Sequence, residues 1–232
     1  MKLPNILSRS ESPFSKKGLV FFCFILLFPA FASAHAIADL SQFSRTEVGM
    51  LYLKLGYEHI IPLGFDHILF VLSLFFLSSN LKTVIWQATA FTVAHSITLG
   101  LAMYNVITPP TYIVEPVIAL SIMFVAIENI ISDQLRPSRV LIVFLFGLIH
   151  GLGFASALTM LGLPKNQFLT SLLTFNLGVE LGQLTVIVLA WLLIGKWFHR
   201  KPWYRKRIVI PISAVISMVA LYWTIERTFF PS

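Results

Sequence analysis

The chain has 232 residues, 57% of them hydrophobic and 12% charged, with a mean hydropathy of +0.83 and a formal net charge of +7. That balance excludes a soluble globular domain and points to an integral membrane protein of the all-α class. A single cysteine, Cys23, excludes a disulfide framework and a thiolate metal site, and basic residues confined to short loops exclude a nucleic-acid surface.

Lys2, Arg9, Lys16 and Lys17 precede an apolar run over 18–31 and then the small residues Ala32, Ser33 and Ala34. This is the order of a secretory signal peptide over residues 1–34, with cleavage expected after Ala34. Residues 35–59 read as a short extracytoplasmic segment. Leu40, Phe43, Val48, Leu51 and Leu55 recur there on one helical face, the pattern of an amphipathic helix lying on a membrane surface.

Residues 60–228 read as a bundle of six transmembrane helices: Ile60–Ser78, Thr83–Val106, Tyr112–Ser132, Val140–Leu161, Phe168–Gly195 and Ile208–Thr228. Each is near the length that crosses about 30 Å at about 1.5 Å per residue. The loop from Lys196 to Arg207 holds Arg200, Lys201, Arg205 and Lys206 as well, so the positive-inside rule puts it in the cytoplasm. Both termini of the mature chain then lie outside a bacterial-type inner membrane.

Charge inside these segments is costly, and ionisable groups in a bilayer normally face the bundle interior and serve a function. Counted inward from the outer boundary, Asp66 and His67 lie about 10 Å deep, His95 and His150 about 16 Å, and Glu180 about 18 Å. Glu115 lies about 5 Å deep, at the mouth, and Glu128 about 24 Å deep, with Asn129 beside it as a hydrogen-bond partner. On the fifth segment Asn176, Glu180 and Gln183 form one polar stripe, flanked by Thr174, Gly178 and Gly182. Thr89, Thr92 and His95 line up similarly, and Gly147, Gly151 and Ala155 recur at the spacing that lets helices approach closely. Phe91-Thr-Val-Ala-His95 is echoed by Phe146-Gly-Leu-Ile-His150.

Imidazoles and carboxylates without thiolate suit borderline divalent ions such as nickel, cobalt or zinc. No nucleotide-binding loop is present, so transport by this chain would draw on a gradient. The same donor set also suits an intramembrane zinc-dependent hydrolase, with an open coordination position for water.

The Gly64-x-Asp66-His67-x-Leu69 motif, following a signal peptide and His59, resembles the HupE/UreJ family of hydrogenase and urease accessory membrane proteins. Further blocks resemble the second branch of that family: Phe91 to Ser96, Val114-Glu115 with Ala126 to Asn129, Phe146 to Phe154, and Phe175 to Gln183. The resemblance covers about Gly56 to Leu192 and implies a permease for nickel or cobalt, with no organic cofactor. It makes His59, Asp66 and His67 the leading metal contacts, joined by His95, His150 and Glu180. Glu115, Glu128, Asn129, Asn176 and Gln183 are expected along the transport path.

Overall fold

The computed structural model describes residues 43–230, apart from 79, 109, 135 and 161–164. The expected signal peptide lies outside the described residues. All regular structure among them is helical: α1 (Arg45–Ile60), α2 (Phe65–Leu77), α3 (Leu81–Met103), α4 (Thr111–Ile131), α5 (Arg139–Met160), α6 (Phe168–Ala190) and α7 (Ile210–Phe229). A π-helical turn at Trp191–Gly195 extends α6, and another at Arg205–Val209 leads into α7.

Four stretches are long and apolar enough to cross a membrane: Leu81–Met103, Thr111–Ile131, Phe168–Phe198 and Arg205–Phe229. The pair α1 and α2, bent by 69°, makes a fifth if counted as one span, and α5 adds the shorter apolar stretch Arg139–Ala155. Large apolar side chains such as Trp86, Leu169, Leu193 and Met218 stay exposed on these helices, as lipid contact allows but water does not. The chain is a multi-pass, all-helical membrane protein.

The first expected span, Ile60–Ser78, is not one helix. Its helical part, α2, has 13 residues, about 20 Å at 1.5 Å per residue, too short to cross alone. The chain turns at Ile61–Leu63, where Pro62 has no N–H to continue α1 and follows a cis peptide bond. Gly64 then passes so close to the His59 carbonyl that a Cβ there would collide with it. A one-residue change at Gly64 would therefore push α1 and α2 apart.

Ser44 starts α1 with a capping box: its hydroxyl accepts the Glu47 N–H at 3.4 Å, and the Glu47 carboxylate accepts the Ser44 N–H at 2.8 Å. The helix does not present the expected face. Val48, Tyr52 and Ile60 are fully buried along with Gly49 and Gly56, whereas Leu51 and Phe43 are exposed. The buried set recurs every four residues because it packs lengthwise on α6. Gly49 lies opposite Thr170 and Thr174, Gly56 opposite the Phe175 backbone, and Ile60 opposite Gly182, so the two helices run parallel. Backbone meets backbone at Gly56 and Gly178, the small-residue contact that substitutes for a hydrophobic driving force in lipid.

A second parallel pair, α3 and α5, is joined where Gly147 and Gly151 meet Phe91 and His95. This sets the two Phe-x-x-x-His sequences side by side at one level. At the end of α3, Asn105 takes φ 55° and Val106 N–H bonds to the Leu101 carbonyl at 3.0 Å, a Schellman-type stop. The third close pair, α4 and α7, is antiparallel. Arg205 donates from its guanidinium to the carbonyls of Asn129, Ile130 and Ser132 at 2.8 to 3.0 Å, satisfying the orphan end of α4. One basic residue of the expected cytoplasmic loop therefore acts as a helix cap. The short α2 lies among α3, α4, α6 and α7, which places its start near the middle of the molecule.

Candidate metal centre

The turn between α1 and α2 folds His59 back onto His67, with ring centroids 4.6 Å apart. His95 on α3 completes a triad, at 6.1 Å from the His59 ring and 5.9 Å from the His67 ring. One nitrogen from each ring lies within 4.8 Å of the other two. The Nε2 atoms of all three are buried and make no hydrogen bond. Buried nitrogens without partners are costly unless something binds them, and three imidazoles grouped this closely fit a metal ion. Bonds of about 2.0 to 2.1 Å bring adjacent ligand nitrogens to about 3.0 to 3.4 Å, so the rings would close in on an ion by an ångström or more.

His95 is oriented from behind. Asn176 donates from Nδ2 to the Leu172 carbonyl at 2.8 Å, which turns its Oδ1 toward His95 Nδ1 at 3.0 Å. Nδ1 therefore carries the proton and donates it, leaving the Nε2 lone pair free. His150 on α5 has a similar anchor. Ser121 donates to the Ile118 carbonyl at 2.7 Å and accepts the His150 Nε2–H at 3.0 Å, leaving Nδ1 buried with no partner. The His150 ring lies 5.2 Å from His67 but outside the triad. Sequence reasoning did not find Ser121; its one signal was a hydroxyl inside an apolar segment.

Aromatic rings close the site. Phe154 lies 3.8 Å from His59 and stacks on Phe175, while Phe91 packs against His67, His95 and His150, and Phe70 against His150. Phe91 and Phe175 are fully buried, so the triad is walled by aromatic rings, with the Asn176 amide behind His95.

The carboxylates lie elsewhere. Asp66 receives Arg227 Nη2 at 3.0 Å on both oxygens, an ion pair that takes the acid away from the triad. Successive helix residues point about 100° apart, so Asp66 faces α7 while His67 faces the centre. Glu180 accepts the Thr89 hydroxyl at 2.6 Å on Oε1 and leaves Oε2 buried and unpaired. Gln183, further along α6, accepts Thr92 at 3.0 Å. With Asn176 they form a polar seam between α3 and α6 that leads away from the triad.

Glu115 is exposed, near the Asp66 and Arg227 pair; Arg227 Nη1 reaches its carbonyl at 3.3 Å. Glu128 pairs with Arg139 at 2.9 Å and makes no hydrogen bond to Asn129. Neighbouring residues diverge here too: Asn129 donates to the Ser73 carbonyl at 2.8 Å and to Ser213 Oγ at 3.3 Å. Arg139 also donates from Nη2 to that Ser73 carbonyl at 3.4 Å, so Glu128 and Asn129 are linked through Arg139 and Ser73 and not by a hydrogen bond of their own.

Neither the curated proteins nor the solved structures contain a match to this chain. A family model described as HupE / UreJ protein matches residues 30–227, a range that takes in the triad, its Asn176 and Ser121 anchors and the Asp66 to Arg227 ion pair. The chain is a member of the HupE/UreJ family.

Proposed function

We propose that this protein moves a divalent transition-metal cation of the nickel or cobalt type across the bacterial inner membrane. The observation that carries this reading is the triad of His59, His67 and His95, which brings one ring nitrogen from each within 4.8 Å of the others and leaves all three Nε2 atoms buried without a partner. Imidazole nitrogen suits these ions, and the family's association with hydrogenase and urease accessory proteins supports nickel or cobalt.

In this reading the chain crosses six times. The broken pair α1 and α2 is the first crossing and α5 the fourth, residues 1–34 are a cleaved leader, and the Lys196 to Arg207 loop faces the cytoplasm. Glu115 and the Asp66 to Arg227 pair form the outer mouth. His150 is a further ligand beside His67, and Asn176, Glu180 and Gln183 line the way inward. Glu128 and Asn129 stand at the inner end, where the ion pair to Arg139 must yield for the cation to leave.

The test is uptake of nickel, cobalt and zinc into liposomes loaded with a metal-sensing dye, comparing the natural chain with His67→Ala and His95→Ala. Saturable uptake abolished in both variants is the expected result. Tight binding without uptake in the natural chain would overturn transport and favour an intramembrane zinc hydrolase, the chemistry that three histidines with an open fourth position also support.

A further inference from the structure

Outside the metal centre, the described residues enclose a half-open cleft of about 670 Å³ between α4 and α5. This is within the roughly 300 to 1,000 Å³ of small-molecule sites. Its walls are apolar: Phe124, Ile127, Ile142 and Phe146 line it. Val117 and Ser121 lie toward one end, and Glu128, Ser132 and Arg136 toward the other.

The two ends differ in charge. Glu128 is neutralised by Arg139 at 2.9 Å. Arg136 is exposed and makes no ion pair among the described residues, and Asp133 on the same loop does not line the cleft. The open mouth is therefore positively charged, with the Ser132 and Ser138 hydroxyls beside it.

Length decides between ligands. From Val117 to Ser132 the cleft follows α4 for about 22 Å at about 1.5 Å per residue, close to the roughly 20 to 22 Å of one leaflet with its headgroups, half of a bilayer of about 40 to 45 Å. We propose that the α4–α5 cleft binds one anionic phospholipid of the inner leaflet, its acyl chain along Phe124 and Phe146 and its phosphate at Arg136. A zwitterionic headgroup carries the same phosphate but brings its own ammonium beside Arg136, which offsets the attraction, and a short soluble anion would leave the apolar walls without a partner. The acyl chain passes Ser121, which holds His150, so the lipid packs against the back of the candidate metal centre. The proposal needs the cleft to open toward the cytoplasmic leaflet but is independent of the cargo.

Native mass spectrometry of the delipidated full chain in mild detergent, titrated with phosphatidylglycerol, phosphatidylcholine or inorganic phosphate, tests this. The expected result is one phosphatidylglycerol bound about tenfold more tightly than phosphatidylcholine, with Arg136→Gln removing that preference, because the cation that discriminates an anionic from a zwitterionic headgroup is gone. Ile142→Trp fills the wall without changing charge and should weaken both lipids, and Lys201→Gln should leave the first lipid unchanged. An unaltered first lipid in Arg136→Gln or Ile142→Trp, a loss in Lys201→Gln, or equal occupancy by phosphate alone would overturn the proposal. Arg136 is exposed, so its variant tests the site even where the tryptophan variant does not fold.

Discussion

The metal centre is held by residues that do not face the ion. Asn176 fixes one ring by accepting the Nδ1 proton of His95 at 3.0 Å, and Ser121 does the same for Nε2 of His150. An anchor of this kind sets which nitrogen is free, and its removal from metal sites typically costs about 10- to 100-fold in affinity. Asn176→Ala should weaken nickel or cobalt binding by that factor in calorimetric titration while leaving the fold intact; unchanged affinity would mean that His95 is no ligand. Binding should also weaken as pH falls, because each proton taken by a free nitrogen removes a donor. The residue scale also explains why Asp66 and His67 part company despite adjacency: one helix step turned the acid to Arg227 and the imidazole to the triad.

At the scale of elements, two backbone crossings position the site. The α1–α6 contact at Gly56 and Gly178 brings His59 to the level of Phe175, and the α3–α5 contact at Gly151 sets His95 beside His150. A side chain at Gly56 would collide with the Phe175 carbonyl, which is backbone and cannot swing aside. Gly56→Val should therefore destabilise by about 3 kcal/mol, the upper range for overpacking, and displace His59 from the triad. Thermal unfolding in detergent and metal titration of the same variant check both effects, and a variant with unchanged melting temperature and affinity would show that the crossing is looser than described. The small-residue spacing was legible in the chain, since Gly147, Gly151, Gly178 and Gly182 stood at helical intervals. The choice of partner helix was not, because a glycine stripe states that something comes close without stating what.

For the molecule as a whole, the ion pair between Asp66 and Arg227 ties the start of the central helix α2 to the end of α7 across most of the chain. The side chains are 21% and 26% exposed, so the pair lies between a surface bridge and a buried one. Its coupling is expected at about 1 to 2 kcal/mol. A double-mutant cycle with Asp66→Asn and Arg227→Gln, read by denaturant or thermal melting, should return that interaction energy; strict additivity would show that the tie does not hold the end of the bundle together. Arg227 also lies over Trp223 at 5.2 Å, so its variant loses packing as well as charge, which the cycle separates.

Composition and hydropathy sufficed for the class, because apolar length is a property of sequence that no packing alters: the all-helical, multi-pass character could be read directly. So could the family; His67 and His95 stood out as candidates because imidazoles in apolar segments are costly enough to be rare, and His59 through the family resemblance. What only the tertiary structure decided was grouping. Expected depth placed Asp66, Glu180 and three histidines together, but depth is one coordinate and a site needs three. Rotation about each helix axis sent Asp66 to Arg227, Glu180 to Thr89 and Glu128 to Arg139. The turn at Pro62 and Gly64, with α1 drawn against α6, brought His59 from outside the expected spans into the centre. Those outcomes follow from long-range contacts that form only when the helices pack.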